Sequence, residues 1–346
     1  MPKKETFEDY YLPRDISWMY FNRRILQEAR KENIPLLERL SFLGIYSNNL
    51  DEFFRVRVAT QSRVAECEDK TAKKEQEEAK KLLKQIYKLN SKYAKEYEQT
   101  ITELNHELRD NNIYLLRDNE VDDEQRAFIR DYYYRKLNGF INPTWFSQLT
   151  QIDDQSDEDI YLAIKMTKSE KSKPEYALLE LPISVCGRFL ELPTREERHY
   201  LMYMEDVVRC CLPLIFVGLE YEHFEAYSFK FTKDAEMEID NDLRNGTLQK
   251  ISKGVKSRKK GEPLRVIYDA SMPKDLLKKV LGKLNLDKLD TVLAGGRYQN
   301  HRDLMKFPDC GRRDLKYPAW PPIVKRELSG PKSLLEKIQK KDRFIH

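Results

Sequence analysis

A change in the period of the apolar residues divides this chain. Up to Asn111 and Asn112 the apolar stripes repeat at three- and four-residue steps. Beyond them, short apolar runs are bounded by Pro, Gly or polar clusters. The first pattern is that of helices and the second that of strands, so a helical region should precede a mixed one. The helical period is plainest from about Cys67 to Asn111, where Lys, Glu, Gln and Ala dominate. There Leu82, Ile86, Leu89 and Tyr93, then Tyr97, Ile101, Leu104 and Leu108, follow at helical spacing. That segment is one long helix, or two in a hairpin, with a solvated charged face.

Upstream, Asp15 or Ser17 can cap a helix carrying Trp18, Phe21, Ile25 and Ala29. Pro35 suits a first helical turn, and Leu36, Leu37, Leu40 and Leu43 form the stripe behind it. Gly44 either ends that element or lets it pack closely. A third helix is expected to begin near Asn49. After Asn112, strands are expected at 113–116, 160–166, 176–181, 188–192, 226–232 and 264–268, with helices near 200–220, 235–252 and 274–281. Strands and helices do not alternate strictly enough for a doubly wound sheet, so the expected class is α+β multidomain, an all-helical N-terminal domain followed by a mixed α+β domain. The boundary falls near residue 110.

Bulk properties exclude several functions. With 62 basic and 58 acidic residues the net charge is +4, too near balance for global steering of a polyanion. No run approaches the roughly 20 apolar residues of a membrane span, which reads as a cytoplasmic protein. Cys67, Cys186, Cys210, Cys211 and Cys310 show neither CxxC spacing nor a zinc pattern, and suit a reducing compartment. No phosphate loop and no dinucleotide-binding glycine motif is present. None of the five histidines has a Ser or Cys partner in a nucleophile motif.

Three segments could carry a ligand. The densest is Leu43–Arg57, where Asn48 and Asn49 precede Asp51, Glu52, Arg55 and Arg57. Asn49 with Glu52 mimics a capping box, which accounts for one amide and one carboxylate. The alternative is ligand contact: an amide offers a donor and an acceptor to a nucleobase edge, and Arg57 could meet an anion. The second segment is Ala294–Asn300, where Gly295 and Gly296 permit a turn and Arg297 either contacts an anion or pairs with a nearby carboxylate. The third, Lys250–Lys260, is a basic run that reads as a solvated loop or a simple charge contact. Near-neutral charge and the lack of a stacking motif argue against nucleic acid as a partner.

Taken together, Arg14–Glu28, Pro35–Gly44, Ile45–Arg57, Tyr227–Glu236, Gly295–Asn300 and Leu334–Asp342 resemble, in order, segments of the N-terminal half of the bacterial polyphosphate kinases. The resemblance implies a helical N domain to about residue 110 and an α+β head domain over 111–325 through which the enzyme dimerises. Residues 326–346 would begin the linker into C-terminal catalytic domains. It implies that Asn49 contacts the adenine of ATP, with Arg57 and Arg297 as further candidate anion contacts. It implies reversible transfer of the terminal phosphoryl group of ATP to inorganic polyphosphate through a phosphohistidine, with Mg2+ offsetting charge. The catalytic histidine and the Mg2+ site would lie in the C-terminal domains, so no catalytic residue and no metal ligand is assigned here, His346 included. The chain alone should be inactive and bind ATP weakly or undetectably, because one base contact cannot offset the cost of immobilising a nucleotide. The alternative is a non-catalytic dimerisation or regulatory scaffold of the same family.

Overall fold

The computed structural model describes residues 11–67, 70–148, 159–169, 171–233, 263–283, 292–325, 328–331 and 333–342. The helix expected at 235–252, the basic run Lys250–Lys260 and His346 lie outside the described residues. The class is the expected one, helical first and mixed α+β after it. Four helices form the first part: α1 (Arg14–Ala29), α2 (Leu36–Phe53), α3 (Ala59–Glu66) and α4 (Lys73–Asp110). Of the two forms allowed for the charged segment, the single helix is found. The 38-residue α4 buries Leu83, Ile86, Tyr93, Tyr97, Leu104 and Leu108 along one stripe.

Two expectations for the helical part are corrected. α1 begins at Arg14 behind Pro13 with no side-chain cap, and it buries Ile16, Met19, Leu26 and Ala29, leaving Phe21 55% exposed. No third helix begins at Asn49. Instead α2 runs through it and continues by a π-helical turn, Phe54–Val58, into α3. Helix propensity disfavours asparagine by well under 1 kcal/mol, which the buried stripe Leu43, Tyr46, Phe53 and Phe54 overrides.

The mixed part is built on a six-stranded sheet, with β2 (Thr144–Trp145), β3 (Tyr161–Thr167), β4 (Glu175–Glu180), β7 (His223–Lys233), β8 (Pro263–Asp269) and β9 (Val292–Gly295) ordered β2-β4-β3-β7-β8-β9. All neighbours are antiparallel except β8 and β9. Strand alternation sends Leu162, Ile164 and Met166 of β3 to one core and Tyr161 and Ala163 to another. The first core is closed by helices Asp123–Tyr132 (α5) and Met204–Ile215 (α6), the second by Lys274–Lys283 (α7). A smaller sheet sets β1 (Ile113–Leu116) parallel to β6 (Arg198–Tyr203), with β5 (Phe189–Arg195) antiparallel on its far side. Here the sequence misleads. The helix expected from 200 starts only at Met204, because Tyr200–Tyr203 suits either state and pairing between β1 and β5 selects the strand.

The two parts are not separate globules. Leu201, Leu304 and Phe307 pack into the same core as α1, α2 and α4. The 3-10 turn His301–Lys306 lies so close to α2 that a Cβ on Gly44 would come 2.7 Å from Met305 Cγ and 2.8 Å from its backbone N. Gly44 is therefore a close-packing position and not a helix end. On the sheet, Ser228, Lys230 and Thr232 of β7 share a face with Arg265 of β8, all at most 5% exposed. That polar face meets the helices. Lys230 Nζ donates to Asp51 Oδ2 of α2 at 2.7 Å, and Arg265 Nη1 lies 3.8 Å from Asp51 Oδ1. The Arg265 guanidinium also sits 4.2 Å over the Phe54 ring. Burial pushes the Asp51 carboxyl up, but Lys230 and Arg265 more than reverse this and hold it below the ordinary carboxylate value.

Removing Asp51 should strand both cations in the junction. Asp51→Ala is expected to lower unfolding stability by about 3 kcal/mol or more in urea denaturation, and adding Lys230→Met should cost less than the two changes apart. Additive losses would contradict the pairing. His301 gives a second expectation. It stacks on Tyr97 with centroids 5.2 Å apart, and burial, then Arg188 and Lys230, push its pKa down to about 3. A base depressed on folding binds its proton more readily unfolded, so stability falls as pH drops from about 6.5 towards 3. At pH 4 the loss is on the order of 3 kcal/mol. His301→Phe keeps the stack and should remove that part of the acid sensitivity.

Candidate functional site

Asn49 sits in the next-to-last turn of α2, with an exposed Asn48 beside it and its own side chain half-buried. Because the helix continues, the capping-box geometry with Glu52 is absent, and no helix N-terminus faces the amide. What holds Asn49 is α1. Its Nδ2 donates to Asn22 Oδ1 at 3.3 Å, and Asn22 Nδ2 donates to the Tyr46 carbonyl at 3.1 Å. Asn22 is only 1% exposed. The buried amide is thus satisfied on both sides, as burial requires. Nearby, Trp18 of α1 stacks on Phe53 of α2 with centroids 4.1 Å apart and planes within 6°.

The opposite side of α2 carries Asp51 to the head sheet, so the helix is gripped from two directions. The π-helical turn follows immediately and turns both Phe53 and Phe54 inward. Arg57, in the same turn, is committed to α1: its Nε donates to Asp15 Oδ1 at 2.9 Å and its Nη2 to Asp15 Oδ2 at 3.3 Å. A protein carboxylate occupies the fork that an anion would need. The structure therefore brings Asn49 and Arg57 onto one continuous helix but gives Arg57 a buried partner.

Arg297 is likewise committed. Its Nη2 reaches Asp118 Oδ1 at 2.7 Å and Asp206 Oδ1 at 2.5 Å. Asp206, fully buried, also accepts from Arg209 Nη1 at 2.9 Å and from the Tyr298 hydroxyl at 2.6 Å. Burial alone would raise the Asp206 carboxyl; Arg209 and Arg297 bring it below its ordinary value. Of the two roles open to Arg297, the carboxylate pairing is found. Gly295 is the last residue of strand β9 and Gly296 follows it, and neither has a positive φ. They serve close approach: a Cβ on Gly295 would meet Ile267 at 2.7 Å, and one on Gly296 would meet Glu98 at 3.1 Å. No anion-binding turn forms there.

A cavity of about 330 Å3 lies elsewhere, between α5 and α6, lined by Asp123, Arg126, Arg130, Cys210, Cys211 and Leu214 among others. Burial pushes the Cys210 and Cys211 thiols up to about 12, so neither is a thiolate near neutral pH. Among the described residues no group of three or more His, Cys, Asp or Glu side chains is arranged to hold a metal, and no helix is long and apolar enough to cross a membrane.

Asn22, Lys230 and Arg265 carry no motif that marks them in the sequence. Asn22 falls three residues after Met19 and four before Leu26, on the buried stripe of α1. Lys230 alternates with Phe229 and Phe231, which reads as the wet side of a strand until the helices cover it.

Comparison with known proteins agrees with this architecture. Residues 11–116 match the family model described as the polyphosphate kinase N-terminal domain, and residues 124–307 match that described as the polyphosphate kinase middle domain. The chain is 31% identical over 344 residues to the polyphosphate kinase of Vibrio parahaemolyticus, covering 98% of this chain and 49% of that protein. It is 33% identical over 313 residues to that of Escherichia coli K12, covering 89% and 45%. The crystal structure of polyphosphate kinase from Porphyromonas gingivalis superposes with a TM-score of 0.73 at 26% identity, covering 96% of this chain and 46% of that one. The chain thus spans about half the length of the relatives it matches. Matched by two domain models over most of its length and by these relatives along nearly all of it, the chain belongs to the polyphosphate kinase family.

Proposed function

We propose that these residues form the nucleotide-base side and the head domain of a polyphosphate kinase. In this reading Asn49 contacts the adenine of ATP. The reaction is reversible transfer of the terminal phosphoryl group of ATP to inorganic polyphosphate through a phosphohistidine, and its catalytic groups and Mg2+ ligands belong to the half of the relatives not matched here. The observation that carries the reading is the Asn49 amide. It is half-buried on α2, anchored by Asn22, and its Oδ1 makes no hydrogen bond to the described residues. An anchored amide with an open carbonyl costs little to order when a base arrives. Arg57 and Arg297, already paired with Asp15 and with Asp118 and Asp206, act in this account by shaping the scaffold.

Two outcomes test it. The 346-residue chain should make no polyphosphate from ATP, and turnover by the chain alone would refute the division of labour. In a polypeptide of the relatives' full length, Asn49→Ala should raise KM for ATP roughly tenfold with kcat little changed, as loss of uniform binding does. An unchanged KM would reduce Asn49 to a helix-packing residue.

A second reading, a dimerising or regulatory scaffold, is favoured by exposed apolar side chains on the head domain: Tyr134 at 62%, Phe140 at 48%, Val185 at 60% and Val217 at 75%. Sedimentation equilibrium should then show a dimer that Val185→Asp with Val217→Asp dissociates. A monomer at all concentrations would remove the head domain as the oligomer contact.

A further inference from the structure

An asparagine side chain can turn over and exchange its donor and acceptor ends, so an unrestrained amide reads two hydrogen-bond patterns equally well. Asn49 is restrained by a chain of fixed polarity. The Tyr46 backbone carbonyl can only accept, so Asn22 must turn its NH2 towards it, at 3.1 Å. The Asn22 Oδ1 then faces Asn49, which must present its own NH2, at 3.3 Å. The orientation of both amides follows from the carbonyl and not from either amide itself. Asn22 cannot turn over in response to a ligand, because it is 1% exposed and reversal would set two oxygens against each other. Asn49 is left with Oδ1 and its second N–H making no hydrogen bond to the described residues.

From this polarity we infer that Asn22 is a positioning residue that fixes the Asn49 amide and thereby makes the site select adenine over guanine. The inference rests on the reading of Asn49 as the base contact. Adenine sets an exocyclic N6–H donor beside a ring-nitrogen acceptor, which that Oδ1 and N–H match together. Guanine places the O6 acceptor where adenine has its donor. On its N7 edge both positions are acceptors, so one faces Oδ1; on its N1 edge the pattern is reversed. An amide free to turn over would satisfy that reversed edge. One anchored by Asn22 does not, for a base entering in a single orientation.

The test uses a polypeptide of the relatives' full length, in which the proposed phosphate contacts add to that of the base, labelled with 15N at asparagine, with ATP and GTP titrated separately at millimolar concentration and the side-chain amide resonances followed by NMR. ATP should shift the Asn49 amide, with an apparent Kd at least about tenfold below that of GTP. Asn22→Ala frees the amide, and GTP should gain until the two constants agree within about threefold. Asn22→Asp, as the neutral acid that burial favours, donates its O–H to the Tyr46 carbonyl, accepts from Asn49 Nδ2 through its other oxygen, and should keep the preference for ATP. If ATP does not move the Asn49 resonance, the base reading falls and this inference with it. If ATP moves it but GTP binds equally well, or if the preference survives Asn22→Ala, the base reading stands and the role of Asn22 is overturned. The wild-type ratio decides by itself should the alanine variant fail to fold, since equal constants contradict an anchored amide.

Discussion

The carboxylate of Asp51 is where the two halves of this structure become one. It is the negative charge that Lys230 and Arg265, both buried, reach from the head sheet, and it is itself only 16% exposed. Two buried cations facing a single carboxylate are costly unless the geometry is held, and the Phe54 ring face beneath Arg265 supplies part of the compensation. The consequence reaches beyond stability. Asn49 is two residues from Asp51 on the same helix, so whatever fixes Asp51 also fixes where the Asn49 amide points. α1 fixes it from the other side through Asn22, and the 3-10 turn at His301–Lys306 presses on the helix at Gly44. The Asn49 amide, the base contact proposed above, is thus set by three separate stretches of chain.

Much of this was legible in the residues. The 3.6-residue period marks α4 because one face of it must be apolar over its whole length. Strands β3, β4, β7 and β8 read clearly because each is a short run rich in Val, Ile, Tyr, Phe and Leu between breakers. What escaped has a common cause: segments whose local chemistry suits two states and whose neighbours in space decide. Asn49 and Glu52 mimic a helix start, yet the apolar stripe on both sides carries the helix through. Arg198–Tyr203 could continue α6 backwards, and becomes a strand because β1 and β5 need a partner. The polar side of β7 looks solvated and is instead the seat of the helical domain.

The charged motifs teach the same lesson about function. Arg57 and Arg297 stand in segments dense with donors, and both turn out to face protein carboxylates. A guanidinium in such a motif is as well suited to join elements as to hold an anion, and sequence spacing cannot tell the two apart. The amide pair differs because its chemistry is left unfinished: Asn49 has one anchored end and one open one. Asn22, the residue that closes the anchored end, is visible in sequence only as a polar residue on an apolar stripe. Its meaning depends on the Tyr46 carbonyl lying opposite, which is a fact of packing.

Photolabelling tests most directly whether a nucleotide base meets this chain at Asn49. Irradiation with 8-azido-ATP, followed by digestion and peptide mapping, should place the label on the peptide spanning residues 45–57 or on the facing part of α1, with excess ATP protecting both. Label confined to the head domain, for instance to the α5–α6 cavity at Cys210 and Cys211, or label that ATP does not displace, would contradict the account.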